Sequence, residues 1–243
     1  MKADPAVQKR LLDLAEVDAE LNRAAHRRRT LPELAEIAQA ETELRARKDA
    51  VVAVETTLAD LDRDAKRLDT EIDQVRAREE RDRTLLNSAD AKRAVDLQHE
   101  LETLARRRGV LEDESLELME RREAVEMDVQ HARAQLSAAE EKIGDAQRRR
   151  DEAFADLETV EARSGDRRKT VLAGLPSDLV ALYERVRTQK GTGAALLKAR
   201  RCGACRLELD RIAISNLRTV AADEVARCEE CGAILVRTAE SGL

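Results

Sequence analysis

The chain has no tryptophan, one tyrosine (Tyr183) and one phenylalanine (Phe154) in 243 residues. Aromatic side chains ordinarily supply much of a core's buried area, so their scarcity excludes a globular core of usual size. Nine glycines and three prolines leave long stretches with nothing to break a helix. No apolar run approaches the ~18 residues that a bilayer span needs; AVVAV (50–54) and LVALY (179–183) are among the longest. The first residues, MKADPAVQKRLLDLAEVDAEL, are amphipathic and lack the apolar segment of a secretory signal. A cytoplasmic setting is therefore expected, where thiols stay reduced. The net charge of −6 gives no bulk electrostatic reason to expect a nucleic-acid binder.

What the chain does contain is charge, 39% of residues, with alanine and leucine between the charges. That is the composition of long helices and coiled coils. Steps of four and three recur from Leu97 through Leu101, Leu104, Arg108, Leu111, Ser115, Leu118, Arg122, Val125 and Val129 to Leu157 and Val160. Upstream, Leu44, Arg47, Val51, Val54, Leu58, Leu61, Ala65, Leu68, Ile72 and Val75 keep the same spacing. Sustained heptads of this kind specify a coiled coil. LLNSADAKRAV separates the two repeats, with Asn87 and Ser88 as turn and cap residues. Reversal there makes positions whose numbers sum to about 176 face each other, and the two patterns then mesh as an antiparallel hairpin. The expected division is a hairpin over 1–170, turning near 87–90 and kinked near 30–32, followed by 171–243. Thr30 and Pro32 are read as the start of a new helix at the kink, and Ser177 as the cap of a connecting helix. Arg47, Arg108, Arg122 and Arg150 occupy seam positions. They either contact a partner or lay their stems along the seam and fix its register.

All four cysteines lie in the last segment, as Cys202-Gly-Ala-Cys205 and, 22 residues on, Cys228-Glu-Glu-Cys231-Gly. Two CxxC pairs can turn four sulfurs inward, the donor set of a closed tetrahedral zinc site. One structural Zn²⁺ is the expectation; two disulfides, redox chemistry or iron are the competing readings of the same residues. A catalytic zinc keeps a coordination position open, and four thiolates leave none. The three histidines, His26, His99 and His131, lie on the stem, and no nucleophile–base pairing or phosphate-cradling glycine loop is present. An enzyme is not expected. Between 184 and 211, Arg185, Arg187, Lys190, Lys198, Arg200, Arg201, Arg206 and Arg211 outnumber the acids, which makes them candidate contacts to a partner or a nucleic-acid backbone.

A helical hairpin followed by CxxC…CxxCGAIL resembles, over essentially the whole chain, the bacterial C4-type zinc-ribbon family, whose members carry an N-terminal coiled-coil hairpin before the ribbon. The resemblance implies a mainly α fold with a small four-cysteine zinc ribbon, and a non-enzymatic adaptor or chaperone-like role on a protein partner. It also brings links to flagellar or type III secretion systems and the sigma-54 factor, and a proposed binding of RNA. The family commonly continues Cys-Gly with Arg-Ile-Leu and an aromatic, whereas this chain has Ala233-Ile234-Leu235-Val236. That departure removes contacts to phosphate and base, so nucleic-acid binding stands as the alternative to an adaptor.

Overall fold

The structure, a computed structural model, describes residues 1–243. The chain is mainly helical: α1 Pro5–Arg29, α2 Pro32–Leu86, α3 Ala91–Ala173, α4 Ser177–Lys190 and, within the ribbon, α5 Arg211–Thr219. Four short strands complete it: β1 Ala194–Lys198, β2 Arg201–Cys202, β3 Ala226–Arg227 and β4 Ile234–Val236. Two compact units result, one of Glu33–Arg148 and the other of Met1–Pro32 with Arg149–Leu243. The periodicity breaks near 170, but the second of these units gathers both chain ends around the ribbon.

In the Glu33–Arg148 unit the seam read from the heptads is the seam observed. Every position of that series from Leu44 to Val75 and from Leu97 to Ala146 is buried or half-buried, whereas the series' last residue, Val160 in the other unit, is exposed. The ion pairs between the two helices fall somewhat above the expected sum of 176. Arg78 pairs with Glu100 and Arg107 with Glu71, each summing to 178. Lys142 with Glu43 sums to 185, and Arg76 with Glu112 to 188. Helical side chains lean toward their own N-terminus, so two that meet across antiparallel helices both come from positions further along the chain. The three seam arginines of this unit all have partners: Arg47 donates to Gln135 (2.6 Å), Arg108 pairs with Glu79, and Arg122 pairs with Asp62 and Glu126.

Three helix boundaries differ from the sequence reading. Thr30 closes α1, its N–H and Oγ1 both donating to the His26 carbonyl, and does not open α2. At the hairpin turn the cap of α3 is Asp90, whose carboxylate accepts from the Arg93 N–H at 2.8 Å, while Ser88 donates back to Leu85. Pro176, not Ser177, precedes α4 and makes no side-chain cap.

The ribbon sheet has the order β2-β1-β4-β3, with β1 and β4 parallel (Ala194 beside Ile234, Leu196 beside Val236) and the outer pairs antiparallel. Alternate residues of β4 face opposite sides. Leu235 enters a core with Leu197, Leu209, Ile214 and Leu217 around the cysteines. Ile234 enters a second core with Leu11, Leu14, Leu179, Tyr183 and Ala194, drawn from α1, α4 and β1. The chain start joins the same sheet region: the Ala3 N–H donates to the Asp223 carbonyl at 2.6 Å, and Val225 donates to Met1 at 2.9 Å.

Beside the second core sits a buried charge cluster. Asp18 is 3% exposed. It accepts from the Tyr183 hydroxyl at 2.7 Å and the Arg168 Nε at 2.8 Å, and Arg187 approaches at 3.2 Å. Glu184 closes the cluster against Arg168 and Arg187. Burial, reinforced by Asp18, holds the Tyr183 phenol well above its ordinary range. Gly193 is required by the same ring, since a Cβ there would lie 2.5 Å from it. Replacing Asp18 with Ala leaves Arg168 and Arg187 with Glu184 alone and the buried Tyr183 hydroxyl without its acceptor, and is expected to cost about 2–3 kcal/mol. Tyr183 is the chain's only tyrosine and there is no tryptophan, so its fluorescence during urea unfolding measures this junction directly. A loss under about 1 kcal/mol would show that the cluster does not hold the junction.

Candidate metal centre

The two CxxC segments fold as matching knuckles. In the first, the Cys202 N–H donates to the Leu207 carbonyl and the Arg206 N–H returns to the Cys202 carbonyl, at 3.0 and 2.8 Å. In the second, Cys228 donates to Ala233 and Gly232 returns to Cys228, both at 2.9 Å. The residue after each pair is left-handed, with φ 63° at Arg206 and 73° at Gly232. Glycine takes that conformation without strain, so the second knuckle advertises its turn while Arg206 conceals the first. Gly203 answers a different need: a Cβ there would lie 2.9 Å from the Leu196 carbonyl oxygen.

The knuckles bring the four sulfurs within 4.8 Å of one another, with Cys202 and Cys231 at 3.7 Å and Cys205 and Cys228 at 4.0 Å. A tetrahedron of sulfurs about 2.3 Å from zinc has edges of about 3.8 Å, so the donor set fits one Zn²⁺. These separations are far beyond a disulfide's ~2.05 Å. Cys202 and Cys228 are buried and Cys205 and Cys231 half-buried. Burial pushes the Cys202 thiol up to about 12 and raises Cys228, whereas the Leu207 N–H lowers Cys205. Buried thiols of this kind give up their protons to a cation, and four thiolates complete a closed structural site. Helix α5 occupies the 22-residue gap and roofs the site with Ala213, Ile214 and Leu217. Its N-terminus is capped by Asp210, whose carboxylate accepts from the Ala213 N–H at 2.7 Å.

The eight basic residues do not form one set. Arg187 is committed to Asp18 and Glu184. Lys198 pairs with Glu240 and Arg201 with Glu208, while Arg200 donates to the Gly242 carbonyl. Arg185, Lys190, Arg206 and Arg211 are exposed and have no side-chain partner. Ala233 is fully buried. The arginine that shapes the ribbon is Arg237, whose guanidinium donates to the carbonyls of Val220 (2.8 Å), Ala221 (2.6 Å) and Glu224 (2.7 Å), tying down the end of α5. No sequence signal marks it, because its partners are backbone atoms. Leu207 and Ile212, 52% and 71% exposed, belong to no motif either.

A helical hairpin joined to a closed four-cysteine ribbon defines a class of protein, and comparison places the chain within it. Residues 14–191 match the CT398-like coiled coil hairpin domain and residues 201–235 the C4-type zinc ribbon domain. The chain belongs to this coiled-coil hairpin and zinc-ribbon family. It is 44% identical over 239 residues to an uncharacterized protein of Mycobacterium tuberculosis, covering 98% of both. A solved Mycobacterium smegmatis structure is 41% identical, with a TM-score of 0.88 over 98% of this chain and 100% of that one. CT398 from Chlamydia trachomatis shares the fold at 17% identity and a TM-score of 0.66, over 95% of this chain and 97% of its own.

The purified protein is expected to carry one zinc per chain by metal analysis. Cys231→Ser should reduce that content and melt the ribbon, because structural zinc supplies on the order of 10 kcal/mol to such a fold. Zinc must displace the thiol protons, so its affinity falls as pH is lowered. A zinc chelator dye should therefore capture the metal more readily at mildly acid than at neutral pH. Full zinc content in the serine variant would contradict the assignment.

Proposed function

We propose that the chain is a non-enzymatic cytoplasmic adaptor that binds a protein partner through its ribbon head and its coiled-coil arm. One observation carries this reading. Leu207 and Ile212 stand in solvent beside Arg206 and Arg211, which have no partner within the chain. Exposed apolar side chains rimmed by polar residues mark protein interaction surfaces, whereas a phosphate backbone needs only charge.

Nucleic-acid binding through Arg185, Lys190, Arg206 and Arg211 is the second reading, supported by their exposure. Two features weigh against it. Four of the eight basic residues are engaged internally. Tyr183, the one aromatic ring near the ribbon, is fully buried and unable to stack on a base.

Crosslinking mass spectrometry in the native cell tests the choice. Crosslinks from residues 198–243 to a protein are expected, and Leu207→Asp with Ile212→Asp should remove them. Recovery of RNA after ultraviolet crosslinking, unchanged by the aspartates and lost with Arg206→Glu, would favour the second reading.

A further inference from the structure

Charge is divided unevenly along the chain. Glu33–Arg148 holds 30 Asp and Glu against 20 Lys and Arg, leaving the ribbon-bearing unit at +4 within the total of −6. The acidity of the stem has a pattern. Asp113, Leu116, Glu120, Glu123 and Met127 recur at steps of three and four along α3, so they share one helix face. All five are exposed, with Leu116 at 57% and Met127 at 72%. This stripe is separate from the buried seam of Leu111, Ser115, Leu118, Arg122 and Val125. Nearby Glu112, Glu117 and Glu126 are paired with arginines and Glu123 interacts with Arg122, but Asp113 and Glu120 have no side-chain partner.

The outer face of α5 is its complement. Arg211, Ile212, Ser215 and Arg218 are exposed, and the helix RIAISNLRT contains no acid. Arg211 and Arg218 lie seven residues apart, about 10 Å along a helix axis. Asp113 and Glu120 have the same separation, with Leu116 between them to meet Ile212. Short amphipathic helices recognise surfaces through anchors at this spacing.

We propose that α5 of one copy docks on the Asp113–Met127 stripe of a second copy, pairing Arg211 and Arg218 with Asp113 and Glu120 around an Ile212–Leu116 contact. This rests on the ribbon acting as a protein-docking head, and it names one protein that the head docks. Two different surfaces meet, so the interface is heterologous.

Sedimentation of the zinc-loaded full chain tests it. Reversible self-association is expected, with a dissociation constant that rises about tenfold or more from low to high salt. Arg211→Glu with Arg218→Glu should leave the chain monomeric, as should Asp113→Arg with Glu120→Arg in a separate variant. All four positions are exposed on helices, and circular dichroism checks that each variant remains folded. An equimolar mixture of the two variants should associate where neither does alone. A wild-type chain that stays monomeric at every concentration, association that ignores the stem reversal, or an inert mixture would each overturn the self-pairing. The cellular crosslinks of the head, tested with the stem-reversed variant, then report separately on the adaptor reading.

Discussion

Strand β4 is three residues long, fully buried, and holds the ribbon together by facing two ways at once. Leu235 closes the core around the cysteines, while Ile234 closes the core built with α1 and α4. Neither core is large, and neither has the aromatic area that would make it stable alone. The metal fixes the two knuckles, the knuckles fix the register of β4 against β1 and β3, and that register presents Ile234 to Leu11, Leu14 and Tyr183. Zinc coordination and the seating of the ribbon on its helices are thereby one cooperative event. The chain start adds to it, since Met1 and Ala3 pair with backbone groups just ahead of β3.

The hairpin of Glu33–Arg148 is built on a different principle. Two helices can bury only a narrow seam between them, and the buried residues there are few: Ile37, Val51, Ile72, Leu97, Leu111 and Val129 are the larger ones. Ion pairs across the helices flank this seam. Most are solvent-exposed and individually worth little, so they contribute register and orientation more than stability. The seam arginines belong to the same scheme, each laying its stem across the interface and ending on an acid or amide.

Periodicity makes the hairpin legible in the sequence, because the 3–4 spacing depends only on helix geometry, and the seam residues follow from it. The zinc site is legible for the same reason: paired CxxC segments encode a local turn. What lies outside reach are interactions without a local pattern. Asp18 reads as one more helix-surface acid, yet it lies under Tyr183, Arg168 and Arg187, which arrive from some 150 residues away. The sequence reading separates the ribbon from the hairpin of 1–170, but Ile234 and Val225 bind it to α1 and α4. The division expected at 170 follows the change in periodicity, while packing unites both chain ends. Arg187 and Lys198 are held by acids distant in sequence and Arg200 by a backbone carbonyl, which no spacing rule reveals, and Arg206 conceals a turn that Gly232 displays.

Zinc, in this view, holds the ribbon and its supporting helices as a single cooperative unit. Hydrogen exchange before and after zinc removal tests that claim most directly. Stripping the metal is expected to deprotect α4 and the first half of α1 together with the ribbon, while the amides of α2 and α3 between residues 40 and 140 keep their protection. Loss of protection confined to residues 201–235, with α1 and α4 unchanged, would contradict it.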